Sequence, residues 1–357
     1  MTAPTRELPT APRLSVDDDS ADAMYALMER HGGGDGLPLI PPTPARVEAM
    51  LTVGGGDPDS VIALLPPRSG AGTRRSLAVS AVMAGCRPEW LPVLVAAAQA
   101  LARPEMNLRG VNATTHPVAP MLIVHGPAAA ALGFNGGLGA FGPGNRANAT
   151  VGRAVRLMLL HLAGATPGDG DASTQGQPAK YTFCVAENTA ASPWGAYHHS
   201  VGVEEANAVT VHCGEGPHNF HDMESEKPAP ILDKGATAMA SLGMNNAPIS
   251  QGEIFVGLCP EHAASLARHG WTRRDVQSYL FERARLPAHV FREAFRSALW
   301  RPWMRSLPDD ALQPMTDHPD NFRVFVVGGA GKHSCFMPSW GVTKSQTIPF
   351  SLLEAAS

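Results

Sequence analysis

Short apolar runs at 121–124, 209–212, 254–258 and 322–327 are bounded by glycine, proline, histidine or asparagine and are too brief to be helices. Each therefore reads as a buried strand, as does 181–185. Between them lie stretches with helical spacing at 91–101, 147–162, 261–269, 273–285 and 288–299. Alternation of this kind predicts an α/β fold, a mixed or largely parallel sheet, or sheets, covered by helices. Further upstream, 21–30 carries helical spacing, 61–65 is a brief apolar run, and Thr43 followed by Pro44 reads as an N-cap and first helical residue opening a short helix to about Leu51.

Residues 1–18, rich in Pro, Thr and Asp, read as a flexible N-terminal arm without the apolar core of a signal peptide. The rest, 19–357, reads as one large α/β unit or two intertwined subdomains, with the Pro/Gly-rich stretch 164–176 as the candidate linker or lid near 164–180. No internal repeat is visible. Apolar residues make up 44% of the chain and charged residues 17%, a balance suited to a compact enzyme and to a homo-oligomer. A net charge of -4 without a basic run argues against nucleic acid as a partner. The apolar stretches at 91–101 and 155–163 fall short of the ~20 residues that a membrane span needs, so no membrane association is expected. Five scattered cysteines without a CxxC pair read as reduced thiols, which places the chain in the cytoplasm.

Chemistry-bearing residues concentrate in glycine-, histidine- and asparagine-rich loops. Cys86, in Gly85-Cys86-Arg87-Pro88, is expected at a helix N-terminus beside a guanidinium, a setting that favours the nucleophilic thiolate. His116, in a polar loop before the 121–124 strand, is a candidate acid/base partner. Gly137-Leu138-Gly139-Ala140-Phe141-Gly142 satisfies G-x-G-x-x-G, but it does not directly follow a strand, and the next carboxylate, Asp169, lies beyond the following helix. A dinucleotide cofactor is therefore not expected. The same loop runs through Asn145, Arg146, Asn148 and Thr150 into a helix, and these side chains with free backbone N–H groups form a candidate grip for a carboxylate or phosphate.

Five of the chain's 14 histidines fall between His198 and His221, together with Cys213 and Glu215, and Glu187 lies just upstream. These are ligand types for zinc or another divalent transition metal, and His198, His212 and His218 are the expected ligands, with Glu187 or Glu215 as base. In a non-metal reading His198 and His218 serve as acid/base groups, with Asn219 as a substrate contact. Near the C-terminus, a strand running into Gly328-Gly329-Ala330-Gly331 presents Lys332 and His333 at its carboxyl end, where open α/β sheets place ligands.

Through Asp35-Gly36-Leu37-Pro38, Ala84-Gly85-Cys86-Arg87-Pro88-Glu89, Gly142-Pro143-Gly144-Asn145-Arg146-Ala147-Asn148-Ala149-Thr150 and Gly214-Glu215-Gly216-Pro217-His218-Asn219, the chain resembles a group of bacterial proteins associated with the UGSC-motif selenoproteins and their cysteine counterparts. The resemblance spans most of 35–350 and implies a link to thiol or selenol chemistry. The U/C-G-S-C tetrad itself does not occur in this chain, so the functional counterpart that the resemblance offers is Cys86 in its Gly-Cys-Arg-Pro setting.

Three functional expectations follow. The first is an enzyme acting on a small polar or anionic metabolite, in carbon–heteroatom bond chemistry, with Cys86 as thiolate and His116 or His218 as acid/base. The second is a metal-dependent hydrolase or lyase built on the 187–222 cluster. The third is a non-catalytic accessory subunit that binds a small molecule.

Overall fold

The computed structural model describes residues 15, 18, 20–249, 251–295 and 300–352. Most of the expected N-terminal arm, and the 296–299 end of the helix expected at 288–299, lie outside the described residues. An antiparallel hairpin, β1 (Val61–Leu65) with β2 (Gly70–Thr73), precedes the main sheets. The next strands are β3 (Ala119–His125), β4 (Cys184–Ala186), β5 (Ala208–Gly214) and β6 (His218–His221). They are followed by β7 (Ile254–Leu258), a small ladder of β8 (Arg285–Pro287) with β9 (Leu312–Pro314), and then β10 (Phe322–Val326), β11 (His333–Pro338) and β12 (Gln346–Pro349).

One sheet has the order β12-β5-β3-β4 and the other β6-β11-β7-β10. In the first, β3 is parallel to β4 and antiparallel to β5, which is antiparallel to β12. In the second, β7 is parallel to β10 and antiparallel to β11, which is antiparallel to β6. The register repeats as well. Val185, Ile123, Thr210 and Thr347 lie side by side across the first sheet, as Phe325, Gly257, Cys335 and Asn219 do across the second. The chain thus builds one four-strand pattern twice and exchanges the last strand of each half, β6 and β12, into the opposite sheet. No repeat shows in the sequence because equivalent positions carry unlike residues, isoleucine against glycine and threonine against cysteine.

Side chains alternate across each strand, so each sheet has two buried faces. On the outer face of the first sheet, Leu122, Val124, Val209 and Val211 pack with Leu77, Leu94 and Val151 of helices Arg74–Ala84, Leu91–Leu101 and Arg146–Met158. On the outer face of the second, Val256, Leu258 and Val324 pack with Leu232, Leu266 and Leu280 of helices Pro228–Met239, Pro260–Arg268 and Arg273–Arg283. Between the sheets lie Met121, Ile123, Val185, Tyr197, Phe255, Phe325 and Met337. The result is a helix–sheet–sheet–helix arrangement, with mixed sheets as the sequence predicts. The sheets are laced together where Gly214 bridges Ser339 and where Asn188 N–H donates to the Val326 carbonyl at 2.8 Å.

Local signals place most elements. Thr43 caps Pro44–Gly54 and Ser20 caps Ala21–Arg30, each through a side-chain oxygen. Arg146–Met158 is shorter than the 147–162 expected, because its last turn widens at Leu159–Ala163 and closes on Gly164 at φ 71°. The strand expected at 181–185 is confined to Cys184–Ala186, after the turn Pro178–Lys180. The 164–176 stretch is tied down through buried Asp171, which accepts from Arg156 at 3.2 Å and Lys180 at 2.7 Å.

Phe255 is fully buried at the centre of the inter-sheet layer, with its ring 5.7 Å from that of Tyr197 and 4.4 Å from that of His212. Phe255→Ala is expected to lower stability by about 3–5 kcal/mol, measured as a shift in urea midpoint at unchanged slope. A change below about 1 kcal/mol would contradict this packing.

Candidate metal centre

His125 ends β3 and Glu187 immediately follows β4. Because these strands are parallel with Val124 opposite Ala186, the next residue of each falls side by side on the face turned toward the second sheet. The Glu187 N–H donates to the Val124 carbonyl at 3.0 Å, which fixes this placement. His125 Nδ1 lies 2.7 Å from Glu187 Oε2, and its Nε2 lies 2.8 Å from Thr210 Oγ1 on β5. Thr210 in turn meets Thr347 on the exchanged β12 at 2.9 Å. Both Glu187 oxygens accept the Tyr197 N–H at 2.9 Å.

That contact anchors the short helix Tyr197–Ser200, which carries His198. His198 Nε2 lies 3.0 Å from the Glu205 carbonyl. A carbonyl only accepts, so Nε2 bears the proton and Nδ1 a lone pair. That Nδ1 is buried without a hydrogen-bond partner among the described residues. Burial first, then the neighbouring His125 and His199, push the His198 imidazole down to about 4, so it is neutral near pH 7. His125, Glu187 and His198 are all buried, and their ligand atoms lie within 4.8 Å of one another.

The arrangement concentrates acceptors. A proton on His125 Nδ1 satisfies Glu187 but leaves His198 Nδ1 unserved, whereas a divalent cation would serve all three. The flanking bonds suit that role, since metal-bound histidines ordinarily give their other ring N–H to a carbonyl or similar acceptor. Glu205 O accepts from His198, and Thr210 Oγ1 is able to accept from His125 while donating to Thr347. Two imidazoles and a carboxylate form a set suited to zinc, with a fourth tetrahedral position left for water or substrate. An ion at ~2.1 Å from each atom would open the 2.7 Å His125–Glu187 contact by roughly 0.7 Å.

Tyr197 also lines a cleft of about 490 Å³ with Trp194, Thr272, Arg273 and Arg323. Arg323 reaches fully buried Glu253 through Nε at 2.9 Å and Nη2 at 2.8 Å. Arg273 is 9% exposed; its Nη2 donates to the Gly195 carbonyl at 2.9 Å, while its Nε is buried without a partner among the described residues. Burial lowers the Arg273 pKa, and the nearby Glu187 and Tyr197 oppose that shift.

The expected ligand trio does not assemble. His198 joins the centre, but His212 packs against Phe255 and reaches the Met337 carbonyl at 3.2 Å, with burial pushing it down to about 4. His218 is exposed on β6, its ring 4.9 Å from Phe336, because that strand belongs to the other sheet. Glu187 is brought to the centre as a potential ligand. Glu215 instead pairs with His116 at 2.9 Å near the opposite end of β3, and β3 at ~3.3 Å per residue is ~20 Å long. Asn219 and His333 meet at 2.9 Å on exposed strand positions of the second sheet, and the Lys332 ammonium donates to the Met223 carbonyl.

The thiolate expectation is corrected. Cys86 lies just past the C-terminus of Arg74–Ala84, inside the helical layer over the first sheet and away from the inter-sheet face. It is buried, and burial pushes its thiol up to about 12 despite the Thr150 hydrogen bond and the Arg146 and Arg153 charges. The 142–150 loop uses its polar groups internally. Asn145 caps the helix through the Asn148 N–H, Arg146 donates twice to the Gly85 carbonyl, Asn148 holds Asn135 and Ala140, and Thr150 donates to the Arg146 carbonyl.

His125 and Arg273 went unrecognised in the sequence. The available signal for His125 was its place as the polar end of an apolar strand, the carboxyl end at which α/β sheets build sites. The chain matches no family model, no curated protein and no solved structure. Among the described residues, no helix is long and apolar enough to cross a membrane.

Since the Cys86 thiol stays protonated between about pH 7 and 9, its alkylation by iodoacetamide in the folded protein is expected to be at least tenfold slower than in urea, read by mass spectrometry. Equal rates in the two states would contradict its placement.

Proposed function

We propose that this chain is a metal-dependent enzyme, a hydrolase or lyase, whose ion is held by His125, Glu187 and His198. The observation that carries the reading is the buried convergence of a carboxylate and two imidazoles, one with an unpartnered Nδ1 whose opposite nitrogen is fixed as a donor. Two further features support it. The candidate ligands come from the carboxyl ends of two parallel strands and the connection after them, and the helix that carries His198 also borders a solvent-reaching cleft through Tyr197.

In this reading His125, Glu187 and His198 would hold a divalent ion, which would supply Lewis-acid chemistry for polarising a substrate carbonyl or activating water. Glu187 and the two histidines hold it, and Thr210, Thr347, Tyr197 N–H and Glu205 O keep those ligands oriented. The buried thiols take no part. A divalent transition ion, zinc by ligand type, is the cofactor.

Untagged protein grown with zinc is expected to contain close to one equivalent by inductively coupled plasma mass spectrometry, falling at least tenfold in His198→Ala and staying near one in His218→Ala. Circular dichroism verifies that both variants are folded. Metal-free wild-type protein, or full occupancy in His198→Ala, would overturn the proposal.

A further inference from the structure

The Tyr197 cleft holds more cationic hydrogen-bonding capacity than the protein itself uses. Arg273 is the first residue of the eleven-residue helix Arg273–Arg283, whose Thr272 and Asp275 form a capping box. Thr272 Oγ1 accepts the Asp275 N–H at 3.2 Å, and the Asp275 carboxylate accepts from Thr272. Helix geometry leaves the N–H groups of Arg273 and Arg274 without intrahelical acceptors, at the positive end of the helix. Independently, the Arg273 side chain is nine-tenths buried, lines the cleft and has an Nε without a partner among the described residues.

A buried guanidinium with an unused donor is costly unless an acceptor completes it. Arg273, Arg274 and Arg323 line the cleft against one carboxylate there, Asp320. Arg323 is committed to Glu253 through Nε and Nη2.

We infer that this cleft is an oxyanion subsite, in which Arg273 and the helix N-terminus bind a phosphoryl or carboxylate group of the substrate. Planar guanidinium donors suit the paired oxygens of either group. The role of the subsite rests on the metal reading, since it would hold a charged handle while the reacting bond meets the ion beside Glu187. Binding of the anion itself does not require the ion.

The test is calorimetric titration of the whole protein, zinc-loaded and chelator-treated, with inorganic phosphate and separately with acetate, at ionic strength held constant by chloride. Saturable one-to-one binding of at least one anion is expected, weakened at least tenfold in Arg273→Gln and less in Arg273→Lys. Phosphate alone binding assigns a phosphoryl handle, acetate alone a carboxylate, and both a general oxyanion site. Heats no different from chloride, or unchanged affinity in a folded Arg273→Gln variant, would overturn the inference. Anion binding by protein that proves unable to hold metal would keep this subsite and remove the metal reading; a stoichiometric metal without anion binding would do the reverse.

Discussion

Face-to-face packing of two sheets that trade their last strands is the constraint on which the rest depends. Every strand of β3, β5, β7 and β11 must serve a helical layer on one side and the opposing sheet on the other, so the layer between the sheets is buried. Exchange of β6 and β12 makes each sheet incomplete without the other half of the chain, and the Gly214–Ser339 bridge joins them where the strands cross over. Polar groups in that layer are therefore held to strict pairing. Glu253 has Arg323 and the Ser345 N–H, and Glu187 has His125 and the Tyr197 N–H. His198 Nδ1 has no such partner among the described residues, and that gives the layer chemical meaning.

The parallel β3–β4 pair explains why the centre sits where it does. Parallel neighbours deliver equivalent ends to the same place, so His125 and Glu187 arrive together without any loop having to position them. Their counterparts by register in the second sheet are Cys259 and Val327, which cannot form such a centre. One fold pattern, used twice, is thus specialised once. Tyr197 links this centre to the arginine-lined cleft, with its backbone N–H on Glu187 and the residue itself lining the cleft.

Legibility of the sequence follows the range of the interactions concerned. Local signals served well: Ile254–Leu258 is an uninterrupted apolar run, and Ala21–Arg30 and Pro44–Gly54 begin at Ser and Thr caps. Helix Arg74–Ala84 gives a weak sequence signal because it opens on two arginines and a serine and buries mainly small residues. The exchanged β6, His218-Asn219-Phe220-His221, reads as a polar loop; only pairing with β11 from the other half makes it a strand. His198 stands out within the histidine cluster, but its partner His125 does not, since the contact between His125 and Glu187 spans 62 residues and arises from sheet register. Cys86 is a similar case. Its neighbouring proline does start a turn, yet tertiary packing buries the thiol, and desolvation outweighs the nearby arginines.

The most direct measurement is anomalous diffraction at the zinc edge from crystals of zinc-loaded protein. One peak is expected between the sheets, ~2.1 Å from His125 Nδ1, His198 Nδ1 and a Glu187 oxygen. A map without that peak, in which His125 and Glu187 remain a hydrogen-bonded pair at 2.7 Å, would contradict it.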